Sequence, residues 1–134
     1  MSPAHAVRPA AEATWGVPPS LEGHTKGFRR WTAVDESAGA VHTGFGIAEF
    51  EPGGRLDWHV HSYEESLYVI DGELVLFTSE SAVLLRPGDY GLIAVGQPHA
   101  LANTGRGTAR AAAISAPQPR PAHDGDTYFV AALP

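Results

Sequence analysis

From about Phe28 onward the chain is interrupted every few residues by glycine, proline or aspartate, and the runs between are rich in β-branched and aromatic residues. This rhythm suits short strands and tight turns and leaves no room for a sustained helix. It predicts strands near 28–34, 42–50, 55–61, 65–70, 73–78, 81–86, 89–94, 98–103, 108–116 and 127–132. The alanine-rich run RAAAISA has helical propensity, but Thr108, Ile114 and the surrounding glycines and prolines favour a strand. Asp71-Gly72, between the apolar runs YVI and LVLF, reads as a tight hairpin, and Pro87-Gly88 as a second strand-to-strand turn. Many short strands joined this way predict an all-β sandwich or barrel.

A chain of 134 residues is the size of one domain. Its first twenty residues are rich in alanine and proline and are expected to form an extended arm. Trp15 is a large apolar side chain for such an arm, so the arm is expected to pack on the barrel or on a neighbouring subunit.

The formal net charge is -6. That balance argues against a nucleic-acid partner, because such binding draws on Lys and Arg neutralising phosphates. Arg29 and Arg30 form the one local basic pair, read as an exposed strand or turn face in preference to an anion site. The chain has no cysteine, which removes disulfides, thiolate ligands and cysteine nucleophiles. No stretch approaches the roughly 20 apolar residues of a membrane-spanning helix, and the N-terminus lacks a signal-peptide pattern. A soluble, cytoplasmic protein with no membrane partner is expected.

Alternation along a strand aims His59 and His61 from one face. Glu65 follows with the parity of Leu67 and Val69, while Glu64, the competing carboxylate, shares its side with Ser66 and Tyr68. His99 arrives after the turn Gly96-Gln97-Pro98. Imidazole nitrogens with one carboxylate suit Fe, Mn, Ni, Co or Zn as a divalent ion. By the same parity Asp57 is an inward neighbour of His59, a candidate orienting or acid/base group, and Tyr63 could reach substrate from the rim. Phe45, Ile47, Leu67, Val69 and Leu101 are expected to line an apolar cavity. Asn103 is read mainly as a backbone tie, and His5, His24, His42 and His123 as surface or loop residues.

The run Gly53, five residues, His59-x-His61, three residues, Glu65, six residues, Gly72 resembles the first motif of the cupins. Gly88, six residues, Val95-Gly96, two residues, His99, three residues, Asn103 resembles the second, with Ala94 where proline is usual. The resemblance implies a jelly-roll β-barrel over 21–134 behind an arm at 1–20. It also implies one divalent transition metal held by His59, His61, Glu65 and His99; strand parity and the connection between His61 and Glu65 make Asp57 and Tyr63 the catalytic candidates.

Four protein ligands on a six-coordinate ion would leave two positions open. The leading expectation is an Fe or Mn dioxygenase acting on a small organic molecule. A non-redox isomerase, cyclase or lyase and a non-catalytic ligand-binding cupin are the alternatives. Small cupins are often homodimers, and the arm or the run DTYFVAAL could supply an extra strand across such an interface.

Overall fold

A computed structural model describes residues 5–131. Nine strands form one continuous, nearly closed hydrogen-bonded sheet: β1 Thr25–Val34, β2 Gly44–His61, β3 Glu64–Asp71, β4 Leu74–Thr78, β5 Ala82–Leu85, β6 Tyr90–Ile93, β7 His99–Ala102, β8 Ala109–Ala116 and β9 Thr127–Phe129. The neighbour order is β5-β4-β7-β2-β8-β3-β6, with β1 and β9 also on β2. Short 3-10 turns are the only helical pieces among the described residues.

The expected strands at 42–50 and 55–61 are one strand. β2 runs for 18 residues through Gly53-Gly54. Gly53 takes φ 79°, and the chain stays tied down there by Gly53 N–H to the Asn103 carbonyl and Asn103 N–H to the Gly54 carbonyl. The bend lets β2 serve two layers. Its first half lies between β1 and β8, and its second half pairs β7 and β9.

Asp71-Gly72 is not a hairpin. β3 pairs β6 and β8, whereas β4 pairs β5 and β7, so the turn carries the chain from one layer to the other. Gly72 is needed for closeness as well as for its φ of 71°: a Cβ there would stand 2.5 Å from the Thr108 carbonyl oxygen. Pro87-Gly88 likewise joins strands of different layers, β5 beside β4 and β6 beside β3.

Period-two alternation fills the interior. On β8, Ala109, Ala111, Ala113 and Ser115 are buried and the residues between them are not. RAAAISA is therefore a strand, as its β-branched neighbours imply, and its small side chains leave room for the core side chains Phe50, Leu67 and Val69 paired beside it and for Leu74 and Ile93. Burying such side chains contributes roughly 1.5–3 kcal/mol each before the entropy of ordering them.

The arm packs on β1. Gly16 and Arg30 exchange backbone hydrogen bonds of 3.1 and 2.8 Å. The Trp15 ring centroid lies 6.4 Å from that of Trp31 and 4.6 Å from the Arg29 guanidinium. Further on, Leu21 enters the core. Positions 1–4 of the expected arm and position 132 of the expected last strand lie outside the described residues.

Candidate metal centre

His59 and His99 face each other across β2 and β7, and His61 lies two residues further along β2. One ring nitrogen from each lies within 4.8 Å of the others, and all three residues are at most 3% exposed. The chain turns each imidazole the same way. His59 Nδ1 lies 2.7 Å from the Asp57 carbonyl oxygen, His61 Nδ1 2.8 Å from that of Tyr63, and His99 Nδ1 2.8 Å from that of Gln97. A carbonyl can only accept, so each Nδ1 carries the proton and each Nε2 keeps its lone pair.

Glu65, at the start of β3, enters from the opposite layer. Its Oε2 is 3.0 Å from His61 Nε2, with the side chain 14% exposed. Glu64 is exposed and points away. Although the 3.0 Å contact is close, His61 Nε2 is buried without an aligned hydrogen-bond partner. A ring lone pair held against a carboxylate oxygen is repulsive unless a proton or cation stands between them. The donor set thus fits a divalent metal: three neutral nitrogens and one anionic oxygen, with a buried nitrogen left unpartnered.

Electrostatics favour the ligating protonation states. Burial, reinforced by the neighbouring His99, pushes His59 down to about 4, and burial lowers His99 as well. Burial alone would raise Glu65, but its contact with His61 and the charge of Arg30 oppose that and hold it below the usual carboxylate range.

Asp57 does not share the face of His59. The register steps from Leu56 opposite Leu101 to His59 opposite His99, so Asp57 and Trp58 together span the place of one partner residue. This bulge reverses the expected parity. The Asp57 carboxylate turns to Arg55 Nε at 3.0 Å and lies 4.0 Å from His24 Nδ1, and only its carbonyl addresses the metal ligands. His24 is not a free surface residue either, being stacked on Phe129 at 3.7 Å.

Tyr63 is buried instead of lying at an open rim. Its ring stacks on His61 at 3.9 Å, and its hydroxyl is 3.5 Å from Thr127 Oγ1. Burial and the charge of Glu65 push the phenol up to about 12, so it remains a proton donor. Asn103 ties backbone, donating to the carbonyls of Phe50 and Gly107 and accepting from Gly105 N–H.

The expected apolar lining is not where parity placed it. Leu67, Val69 and Leu101 are packed in the core, while Phe45 pairs Ile114 and Ile47 pairs Ala112 on the outer face. A cavity of about 660 Å³ lies instead between the arm and the barrel and touches Arg30, Thr32, Tyr63 and Thr127. None of the histidines lines it; Tyr63 stands between the cavity and His61. Arg30 thus parts from Arg29, its neighbour in the basic pair expected on an exposed face. The alternation Phe28, Arg30, Thr32 is the signal that would have turned it inward.

The chain belongs to the cupin family: the family model for the cupin domain matches residues 46–115, from the first half of β2 through most of β8. Among solved structures it resembles the polyketide cyclase RemF from Streptomyces resistomycificus, at 20% identity over 83% of this chain and 78% of that one, with a TM-score of 0.75. A predicted oxalate decarboxylase from Thermotoga maritima shares 23% identity over 83% of this chain and 98% of its own, at 0.71. A sugar phosphate isomerase from Silicibacter pomeroyi shares 19% over 85% and 77%, at 0.70. At these identities the likeness establishes the jelly-roll fold and leaves the reaction open. No curated protein sequence matches the chain significantly. No helix among the described residues is long and apolar enough to cross a membrane.

Proposed function

We propose that this cupin is a metal-dependent enzyme acting on a small organic molecule, with one divalent transition metal held by His59, His61, His99 and Glu65. The observation that carries the reading is the common orientation of the three buried imidazoles, each with Nδ1 against a backbone carbonyl oxygen, which leaves Nε2 available for a metal. A metal bound there would supply Lewis-acid polarisation of a substrate oxygen and, if redox-active, one-electron chemistry with dioxygen. The carbonyls of Asp57, Tyr63 and Gln97 orient the rings, and burial keeps water and protons from competing for them.

Metal analysis of protein purified without supplementation, with and without substitution of His61, tests the reading. One equivalent of ion lost in His61→Ala supports it; wild-type protein that takes up no Fe, Mn, Ni, Co or Zn overturns it. The dioxygenase version further requires substrate-dependent oxygen uptake by Fe(II)- or Mn(II)-loaded protein over a panel of aromatic and enolic compounds.

A non-redox isomerase, cyclase or lyase is favoured by a different observation. The protonated Tyr63 hydroxyl, next to His61 and at the cavity wall, can give a proton to a developing anion. Turnover that persists without oxygen and falls in Tyr63→Phe supports that version.

The reading includes a homodimer. Ser66 lies between Ile114 and Leu92, and Tyr68 lies beside Tyr90, on the outer face of β8, β3 and β6. Tyr68, Tyr90, Leu92 and Ile114 are 51%, 80%, 61% and 45% exposed, a contiguous apolar area of the kind that marks an interface. A second copy, meeting the same face about a two-fold axis, covers it. Light scattering at the dimer mass, shifted to monomer by Tyr90→Glu, is the expected result, and a wild-type monomer removes the idea.

A further inference from the structure

Among the described residues, Arg30 is a partly buried cation without an ion-pair partner. It shares the inward face of β1 with Phe28 and Thr32 and lies opposite Ala48, beside Gly46. A Cβ at position 46 would stand 2.7 Å from Arg30 Nη2 and 2.9 Å from Cζ, and closer still to Nε, so glycine at 46 is what makes room for the guanidinium. Arg30 Nε is buried with no hydrogen-bond partner, and among the described residues the side chain makes no ion pair. The other partly buried or ion-paired arginines near the sheet are matched, Arg29 and Arg110 sharing Glu49 and Arg120 holding Asp126, while Arg8 and Arg106 are exposed. A fork of donors kept free of carboxylate partners, in a partly buried position, is poised for an oxyanion from outside.

The surroundings narrow the class. Arg30 lines the cavity of about 660 Å³ whose other walls include Val17, Pro18 and Leu21 from the arm and Tyr63 on the metal side. That volume is in the range of small-molecule sites. Asp35 and Asp124 also border it, and Asp35 is already engaged with Ser37. Arg30 already acts on Glu65 through its charge, and Asp35 and Asp124 border the cavity, so a dianion such as phosphate is disfavoured and a single carboxylate on an apolar body is matched. We propose that this cavity binds an apolar monocarboxylate, its carboxylate on the Arg30 guanidinium and its apolar part against Val17, Pro18 and Leu21. The inference deepens the proposed enzyme reading by naming a substrate class, but carboxylate binding does not itself require the metal.

The test uses full-length protein stripped of metal by chelation and titrated with benzoate, with uncharged benzamide and with inorganic phosphate. Binding is read by calorimetry and by the amide shifts of Gly16, Gly44 and Gly125, which border the cavity. Saturable benzoate binding at these amides is expected, with benzamide and phosphate much weaker. Losing charged hydrogen bonds of this kind corresponds to about 10- to 100-fold, and Arg30→Met should weaken benzoate by that much. Arg30→Lys, which keeps the charge, should retain part of the affinity, and Gly46→Ala, which displaces the guanidinium, should lose it. Equal binding of benzoate and benzamide to wild-type protein overturns the proposal even if no variant folds; so does unchanged benzoate binding in a folded Arg30→Met protein. Metal uptake without carboxylate binding would sink this inference alone, and carboxylate binding without metal uptake would sink the metal reading alone.

Discussion

His61 Nε2 lies 3.0 Å from Glu65 Oε2, with the two residues carried by strands of different layers. In the neutral ring whose Nδ1–H is given to the Tyr63 carbonyl, Nε2 has no proton to offer, so the contact is stable only with a proton or a metal cation between the two atoms. Glu65→Gln replaces the repulsion with an amide that can donate to the nitrogen. It should weaken metal binding by more than the roughly 10- to 100-fold of an outer-shell change, while leaving metal-free protein at least as resistant to heat as the parent. Competition titration and thermal melts measure both; a Gln variant that binds metal as tightly as the parent removes Glu65 from the ligand set.

The low pKa of His59, about 4, carries over to metal loading. An ordinary imidazole would begin to protonate near 6.5 and release the ion. Here burial keeps the ring neutral through weakly acid pH, so the midpoint for metal loss in equilibrium dialysis should fall below 6.5. Half of the metal lost at or above that pH would contradict ligation by these buried rings.

Acid stability should depend on Asp126, which is 4% exposed and is pulled down to about 2 chiefly by its hydrogen bonds from Arg120. Its folded-state value lies below the unfolded one of 3.8. The contribution is therefore complete above about pH 4 and disappears as pH falls through about 2. In Asp126→Asn the denaturant midpoint should drop at neutral pH, and the difference from wild type should shrink toward pH 2. A constant difference across that window would show that the ion pair is not its source.

Trp15 covers the cluster of Glu49 with Arg29 and Arg110, its ring 4.6 Å and 5.8 Å from the two guanidinium carbons. Trp15→Ala should cost about 1–2 kcal/mol of stability through lost packing and cation–π contact. Deleting residues 1–20 should lower the melting temperature further, because the bridge to Arg30 and one wall of the cavity go with it. Unchanged melting in both would mean that the arm adds nothing to the fold.

The parts of this molecule legible in the sequence are those governed by local pattern. Alternation identifies β8 despite its alanines, and the glycine-framed spacing of His59, His61, Glu65 and His99 brings four side chains from three strands to the end of one barrel. What alternation cannot show is where it skips. The bulge at Asp57-Trp58 costs one residue of parity and turns the Asp57 carboxylate away from His59. Partner choice is equally hidden. Asp71-Gly72 has the composition of a hairpin, yet the next strand pairs in the other layer, a decision made by the burial of Leu74 and Leu76 and not by the turn itself. Arg30 is hidden from pattern because a charged residue is expected outside, whereas the space that admits it comes from a glycine sixteen positions away in sequence.

The dual membership of β2 sets an order in time. Its last residues, His59 and His61, are hydrogen-bonded to β9, formed by Thr127–Phe129, while its first residues pair with β1. A growing chain can assemble the arm-side wall of the barrel as soon as β2 has been made, but the strand bearing two of the proposed ligands stays an open edge until Thr127 arrives. Every proposed ligand has been made once His99 emerges, yet the strand carrying two of them keeps an open edge until β9 follows, and a truncated product would display that edge to any strand able to pair with it.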